Sequence, residues 1–161
     1  MFREMRRGKQ ILSAEDTTAV MDRCTNGVLA CLGDEGYPYA VPLSYVYFKG
    51  KIYFHSAKAG HKIDAITNNP KVSFTVIDKD TIVSEEYTSY FRSVIAFGKA
   101  RIAEGEERLE AFRALVEKYS GDQPEEAKHK EITECTRAFI VAIDVEHITG
   151  KEAIELVKTN S

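Results

Sequence analysis

The sequence predicts an α+β domain, mainly β, whose antiparallel sheet curls towards a closed barrel. Two β-rich runs, Tyr37–Phe48 and Ile52–Ala57, meet at a Lys49-Gly50 turn, which is the signature of a hairpin. Strands and helices do not alternate regularly, so a parallel α/β sheet is not expected. Glycines and prolines interrupt the strand patterns and favour a curved sheet. The chain also lacks the glycine-rich phosphate motifs of Rossmann and P-loop proteins.

Length and charge indicate one ordered domain spanning residues 1–161. Of the 161 residues, 43% are hydrophobic and 29% are charged, as in globular proteins. The net charge of −3 gives no electrostatic case for binding nucleic acid or an acidic membrane. No apolar run approaches the roughly 20 residues that span a bilayer, and no apolar region follows the basic N-terminus as in a signal peptide. Three widely spaced cysteines fit a reducing cytoplasm, where we expect the protein.

Helix signals punctuate the chain at four places. Ser13 is a suitable N-cap, and Thr25-Asn26-Gly27 offers a left-handed end for the first helix. Gly60 precedes the second helix and Pro70 follows it. Apolar residues at Leu109, Phe112, Val116 and Tyr119 form one stripe of the third, and proline begins the fourth. The predicted helices are Ala14–Cys24, His61–Thr67, Glu106–Tyr119 and Pro124–Ile132.

Apolar and β-branched runs predict the strands between these helices. Tyr37–Phe48 alternates, with tyrosines on one face and two prolines on the other, which is typical of an edge or interrupted strand. A polar loop is expected at Lys79–Glu86, and Gly98 is expected to bend its strand. Ile148–Lys151 is expected to be a turn, and the tail from about Glu152 to be peripheral. The remaining predicted strands are Val28–Leu32, Lys71–Asp78, Tyr87–Ala103 and Arg137–Val145.

Four kinds of site can be considered from the polar residues. The cysteines and histidines lack the close spacing of a metal site, so none is expected. A serine or cysteine nucleophile is disfavoured, because no nucleophile elbow is present and nothing couples a histidine to a serine. The third is a phosphate-bearing cofactor site, and the fourth is an interface on the aromatic strand Ser89–Phe97 with its embedded Arg92. An ordinary core strand would explain that last pattern equally well.

The phosphate site is predicted where His55-Ser56-Ala57 ends a strand and Gly60-His61-Lys62 opens a helix. Free N–H groups of the first helical turn and the helix dipole favour an anion there. Ser56, Lys62 and His61 would add short hydrogen-bonding groups and positive charge. A solvated lysine at Lys62, and at His61 a residue of the first helical turn bonded to backbone or water, are equally good interpretations.

Several blocks, spread from Met5 to Lys151, together resemble a known family. They are Met5-Arg6-Arg7 with Gln10, Gly36–Tyr39, Val41-Pro42-Leu43, Tyr53–Ala57, Gly60-His61-Lys62, Asn69–Phe74, Tyr87-Thr88, Arg92–Ile95 with Phe97-Gly98, and Ile148–Lys151. The chain resembles the Nim-type (nitroimidazole-resistance) flavoproteins within the pyridoxamine 5′-phosphate oxidase-like, FMN-binding split-barrel superfamily.

The resemblance implies a six-stranded split β-barrel with flanking helices that forms a homodimer, with FMN at the interface. It implies that Val41–Tyr45 lies along the isoalloxazine ring and that the phosphate is held near His55 and Lys62. His61 is the implied catalytic residue, and Ser93 is implied to approach the flavin from the partner subunit. The cofactor-binding residues expected in full are Val41, Pro42, Leu43, Ser44, Tyr45, His55, Ser56, Ala57, His61, Lys62, Arg92, Ser93, Val94, Ile148 and Lys151.

Two departures limit which activity the resemblance implies. Gly150-Lys151 continues into Glu152-Ala153-Ile154, without the basic, histidine-containing segment that binds substrate phosphate in true pyridoxamine phosphate oxidases. Phe91 stands where Nim-type proteins have tyrosine, which changes the pocket wall. We therefore expect an FMN-dependent oxidoreductase acting on a small electron-poor molecule such as a 5-nitroimidazole, and not vitamin B6 oxidation. The alternative is a non-catalytic protein of this fold that binds flavin, heme or a deazaflavin.

Overall fold

The computed structural model describes residues 1–157, and within them the chain forms seven strands and four α-helices. The helices are α1 (Ala14–Arg23), α2 (His61–Asn68), α3 (Gly105–Ser120) and α4 (Glu125–Glu134). The strands are β1 (Asn26–Leu32), β2 (Pro38–Ser44), β3 (Val46–Phe48), β4 (Lys51–Ala57), β5 (Lys71–Val83), β6 (Thr88–Ala103) and β7 (Ala138–Glu152).

All seven strands belong to one antiparallel sheet in the order β2-β1-β5-β6-β7-β4-β3. The two ends of this order, β2 and β3, are separated in sequence by Tyr45 alone, so the chain joins the sheet's two ends and the sheet wraps around. The predicted Tyr37–Phe48 strand is therefore two strands, which is why seven strands are seen where six were expected. The architecture matches a split barrel.

Two apolar clusters hold the fold together. The first fills the space inside the curled sheet and includes Leu29, Phe54 and Phe74; α1 and α2 contribute to it as well. The second lies outside the sheet, where α3 and α4 pack Phe112, Leu115 and Ile132 against β3, β4 and β7. Burying these side chains supplies the main driving force for folding.

Local sequence signals are confirmed where they were strongest. Ser13 caps α1, because its hydroxyl accepts a hydrogen bond from the Asp16 N–H at 3.0 Å. Lys49 and Gly50 form the β3–β4 turn with φ angles of 50° and 75°, as a tight hairpin requires. The α2 helix ends before Pro70 as expected. The β6–β7 register shifts between Phe97 and Gly98, in agreement with the irregularity expected at this glycine.

Other expectations were wrong because pairing between distant residues decided the structure. Lys79–Val83 is not a loop but continues β5, since it pairs with Thr88–Arg92 of β6. Ile148–Lys151 is not a turn but part of β7, which pairs with β6 as far as Glu152. Gly27 is not a helix cap but a strand residue beside Phe74, where an added Cβ would lie 2.2 Å from the ring.

The buried face of α3 also differs from the expected stripe. Leu109 is 46% exposed, whereas Ala111 and Leu115 are buried. The neighbouring α4 packs against α3 and contributes Ile132 to their shared cluster, so the buried surface is rotated from the expected one.

Candidate functional site: the split in the barrel wall

The wall of the barrel is open between β2 and the end of β4. β2 pairs along its whole length with β1, and β3 pairs with Lys51–Tyr53 at the start of β4. On the sides that face each other, β2 and Phe54–Ala57 have no strand partner among the described residues. We call the opening between 38–44 and 54–57 the split. Its edges present backbone N–H and C=O groups that a ligand could bond.

Tyr45 and Tyr119 close one end of the split. The Tyr45 side chain is fully buried, and its hydroxyl donates to the Met21 carbonyl at 2.8 Å. The Tyr119 hydroxyl of α3 accepts from the Tyr45 N–H at 3.0 Å and lies 2.6 Å from the carbonyl oxygens of Tyr45 and Thr25. It has one proton, so it donates to one of the two. Tyr119 thus replaces the strand pairing that is missing at Tyr45.

Burial shifts the ionisable groups at this end of the split. It raises the pKa of the Tyr45 phenol well above its ordinary value and also raises the pKa of Tyr119. Burial lowers the pKa of Lys118, whose ammonium group lies 4.3 Å from the centre of the Tyr45 ring. Both phenols therefore stay protonated at neutral pH and act as hydrogen-bonding groups.

His61, the first residue of α2, lies at the other end of β2. Its ring is 4.1 Å from that of Tyr39, and its Nε2 accepts a hydrogen bond from the Asp34 N–H at 3.3 Å. A nitrogen that accepts a hydrogen bond has no proton of its own, so this contact places the ring proton on Nδ1. Gly33 permits the arrangement, because a Cβ at that position would lie 2.9 Å from His61 Nε2. The His61 side chain is 37% exposed and can still reach a ligand.

The first turn of α2 has the properties of an anion site. Gly60 adopts φ 129°, in the region that favours glycine, and no side chain caps the helix. The first N–H groups of an α-helix have no partner within the helix, so they remain available to an acceptor. The neighbouring Lys62 side chain adds a positive charge to the same turn.

The residues at the end of β4 point to opposite faces of the sheet. Ser56 is buried and its hydroxyl donates to the Ala57 carbonyl at 3.0 Å, whereas His55 and Ala57 are exposed. His55 and Ser44 both line a cavity of about 450 Å³ between the sheet and α3. A phosphate at α2 would therefore meet the side chains of only part of the predicted set.

The β2 residues expected along a flavin ring alternate in the same way. Val41 and Leu43 pack into the barrel, while Pro42 and Ser44 are exposed. A flat ligand in the split would meet the strand mainly through its backbone edge.

The predicted cofactor-binding residues of β6 and β7 lie away from the split. Lys71, at the start of β5 just after α2, pairs with Lys99, whereas Ser93 pairs with Ile77. Along β6, Ser93 is therefore six residues from Lys99, which corresponds to about 20 Å. Val94 is buried and Ile148 packs against the same inner cluster, while Ser93 pairs directly with Lys151. One chain therefore does not bring its own Ser93 and Lys151 to its own His61.

Arg92 is held by carboxylates in this second region. It donates to Glu152 at 3.0 Å and to Asp78 at 3.1 Å, and Arg23 makes two further bonds to Asp78. The Arg23 bonds, followed by that from Arg92, hold the pKa of Asp78 well below its usual range. In this chain Arg92 serves a charge network that joins α1, β5, β6 and β7.

The outer face of β1, β5 and β6 carries exposed apolar side chains. Paired residues of neighbouring strands share a face, so Ile77, Ser93 and Lys151 lie on the same side of the sheet. Ile77, Ile95 and Phe97 are 64%, 40% and 38% exposed. We call this surface the open face. Exposed contiguous apolar surface of this kind is typical of protein–protein contacts.

A family model and solved structures match this chain. The model described as pyridoxamine 5′-phosphate oxidase matches residues 13–152, most of the sequence and all seven strands. The chain belongs to the pyridoxamine 5′-phosphate oxidase family. Among curated proteins, none matches.

Similar solved structures confirm the fold. A conserved hypothetical protein from Mycobacterium tuberculosis is 23% identical with a TM-score of 0.80, and the match covers 98% of this chain and 96% of that one. A candidate 5-nitroimidazole antibiotic resistance protein from Bacteroides thetaiotaomicron is 22% identical with a TM-score of 0.71, covering 88% and 86%. An FAD-binding protein from Mesorhizobium loti is 27% identical with a TM-score of 0.61, covering 89% and 97%.

Sequence reasoning missed three residues that shape the split. Tyr119 was assigned to the apolar stripe of α3, and nothing in its local sequence indicates that its hydroxyl reaches Tyr45. Asp34 supplies a backbone N–H, which any residue could do. The contact between the Tyr39 and His61 rings could have been predicted only from the tertiary structure, which places the start of α2 beside β2.

Two general findings concern metal ligands and membrane-spanning helices. Within residues 1–157, no group of three His, Cys, Asp or Glu side chains is placed to hold a metal ion. No helix in that part of the chain is long and apolar enough to cross a membrane.

Proposed function

We propose that this protein is a homodimeric, FMN-dependent oxidoreductase that passes electrons from reduced flavin to a small, flat, electron-poor acceptor such as a 5-nitroimidazole. The observation that carries the proposal is the split, with unpaired backbone on both edges and an uncapped helix at one end. Membership of the pyridoxamine 5′-phosphate oxidase family and the FAD-binding structural neighbour support a flavin as the ligand.

The residues of the split fit the two parts of FMN. The flavin ring has several polar atoms along one edge, and the edge of β2 that does not pair with β1 offers backbone groups to them. The phosphate carries about two negative charges, which the first turn of α2 and Lys62 would balance. Bound FMN would supply the redox chemistry, while the protein positions it and excludes water.

The second half of the site would come from the partner subunit. In one chain Ser93 and Lys151 lie about 20 Å along the sheet from the strand end next to α2. Both lie on the open face, where Ile77, Ile95 and Phe97 are exposed. Pairing two open faces would bury this apolar surface and bring Ser93 of the partner subunit towards the split.

His61 is the proposed catalytic residue. The Asp34 N–H occupies Nε2, so Nδ1 carries the ring proton and can donate a hydrogen bond to an acceptor group that has gained electrons. The Tyr39 ring packs against the His61 ring at a centroid distance of 4.1 Å and an interplanar angle of 32°, which limits the orientations open to the His61 ring. The same Nδ1–H group could instead bond the cofactor phosphate, and the effect of His61→Gln on FMN binding and on rate separates the two roles.

A pair of matched surface variants tests the dimeric site. Ile95→Glu places a charge on the open face, whereas Leu109→Glu changes a side chain of similar exposure on α3 (40% and 46% exposed). We expect Ile95→Glu to sediment as a monomer and to lose FMN, and Leu109→Glu to retain both the dimer and the cofactor. FMN bound with unchanged affinity to a monomeric Ile95→Glu protein would contradict the proposed site.

The alternative is a non-catalytic protein that binds flavin, or heme or a deazaflavin, on the same fold. Mixing reduced holoprotein with a nitroimidazole in a single turnover separates the two functions. If the bound flavin is reoxidised no faster than free FMN, the binding role is preferred. The absorption spectrum distinguishes flavin from heme and deazaflavin.

A further inference from the structure

The N-terminal segment carries a cluster of positive charges that the rest of the chain does not neutralise. Within residues 1–157, Arg3, Arg6, Arg7 and Lys9 form no salt bridge, although Arg23, Arg92, Arg101 and Arg137 each bind a carboxylate. The protein as a whole has a net charge of −3, so the cluster is a local feature and does not reflect overall composition. Unpaired cations held close together repel one another and favour an anion between them.

Three of these cationic residues line an open cavity at the surface. Arg6, Arg7 and Lys9 line a space of about 410 Å³ together with Gly8, Gln10 and Ile154. Arg3 does not line it. The volume lies in the range of small-molecule sites, about 300–1,000 Å³, and has room for more than a single phosphate.

The base of the cavity is anchored to the barrel. The Gln10 N–H donates to the Arg7 carbonyl at 3.0 Å and closes a 3₁₀ turn at Gly8–Gln10. Ile11 then pairs with Lys151 of β7, and the Leu12 N–H donates to the Gly150 carbonyl at 2.9 Å. The backbone of the turn is therefore held in place beside the end of β7.

Gln10 provides a second observation that points to a ligand. Its side chain is 4% exposed, and its Oε1 has no hydrogen-bond partner in the described residues. Buried polar atoms without partners are rare in folded proteins, so this amide requires a donor that the chain itself does not supply. A ligand with both negative charge and an N–H group would satisfy the cations and the amide together.

We propose that this cavity, the N-terminal pocket, binds the adenosine diphosphate part of a dinucleotide. Its three cations match a diphosphate better than a single phosphate, and an adenine amino group is a donor suited to Gln10. The pocket adjoins Lys151, which pairs with Ser93, and the proposed function places Ser93 beside the flavin of the other subunit. The inference rests on that function. The ligand could be the adenosine half of FAD or that of a nicotinamide dinucleotide that reduces the flavin.

The test compares Arg6→Gln/Arg7→Gln with Arg3→Gln, which changes a charge on the same segment outside the pocket. Calorimetric titration of ADP into the FMN-loaded protein should show binding that the double variant weakens by about tenfold or more, because charged hydrogen bonds are lost. Arg3→Gln should bind ADP like the wild type, and inorganic phosphate should bind all three proteins more weakly than ADP. FMN affinity should be unchanged throughout.

The outcomes separate this inference from the proposed function. Wild-type protein that binds ADP no better than phosphate, or an Arg3→Gln protein weakened as much as the double variant, would overturn the pocket while leaving the flavin site intact. Failure of the wild type to bind FMN would overturn the proposed function instead. If the double variant prefers FAD over FMN less than the wild type does, the adenosine diphosphate group that the pocket binds is that of FAD. If the FMN-loaded double variant instead has a raised KM for NADPH, that group belongs to the nicotinamide dinucleotide that reduces the flavin.

Discussion

Replacing Tyr119 with phenylalanine tests whether its hydroxyl completes the barrel wall at the split. The hydroxyl is bonded to the Tyr45 N–H at 3.0 Å and lies 2.6 Å from the Tyr45 carbonyl oxygen. Tyr45 is fully buried, so water cannot easily replace these bonds. An unpaired buried polar group costs about 1–3 kcal/mol, and the ring itself is retained. We therefore expect Tyr119→Phe to lower the free energy of unfolding by about 2 kcal/mol.

Denaturant unfolding followed by circular dichroism measures this change, and Tyr90→Phe is the matched control. The Tyr90 hydroxyl bonds the Glu86 carboxylate at 2.7 Å at an exposed position. Its loss should change the free energy of unfolding by less than about 0.5 kcal/mol. A Tyr119→Phe protein as stable as Tyr90→Phe would show that the hydroxyl does not replace strand pairing at Tyr45.

Three further substitutions test the charge network, the proposed role of His61 and the packing of the sheet. The pKa of Asp78 is lowered in the folded state, so its stabilising effect is present above the ordinary aspartate pKa of about 4 and is lost as pH falls towards the folded value. Asp78→Asn should therefore destabilise the protein most at pH 7, and the loss should shrink progressively as the pH falls below about 4; a loss that does not change with pH would refute the network. His61→Gln should retain FMN but lower the nitro-reduction rate by about 10²-fold, whereas the control His129→Gln on α4 should leave the rate unchanged. If His61→Gln instead loses FMN while the rate per bound flavin is unchanged, His61 binds the phosphate. Gly27→Ala should lower the free energy of unfolding by about 1–3 kcal/mol, because the added Cβ would clash with an aromatic ring. Gly8→Ala should lower it less, because no atom lies within 4 Å of the added Cβ. Equal effects of the two substitutions would contradict the packing.

Local signals in the sequence predicted the elements that surround the split. The cap at Ser13, the turn at Lys49-Gly50 and the helix stop at Pro70 each depend on residues a few positions apart. Such signals act through backbone preferences and short-range hydrogen bonds, which neighbouring sequence determines.

Pairing between distant strands could not be predicted in the same way. The polar segment Lys79–Val83 looks like a loop, yet β6 offers it a complete row of backbone partners. The end of β7 is also polar, and it is held by the same long β6 strand. In both cases, tertiary context overrides weak local preference.

The candidate site likewise contains features that local sequence signals indicate and contacts that only the tertiary structure produces. The helix start at Gly60-His61 was visible in the sequence, and the prolines of Tyr37–Phe48 indicated an edge or interrupted strand, although they did not indicate its break at Tyr45. The opposite directions of His55 and Ser56 follow from the two-residue period of a strand and could have been expected. The hydroxyl of Tyr119 reaches the split from a helix 74 residues away, and no local signal predicts such a contact.

The most direct test of the proposed function is the absorption spectrum of the purified protein, with FMN titration in the analytical ultracentrifuge. The account predicts a yellow protein with the bands of an oxidised flavin, which binds one FMN per chain and sediments as a dimer. A colourless monomer that takes up no FMN on titration would contradict it.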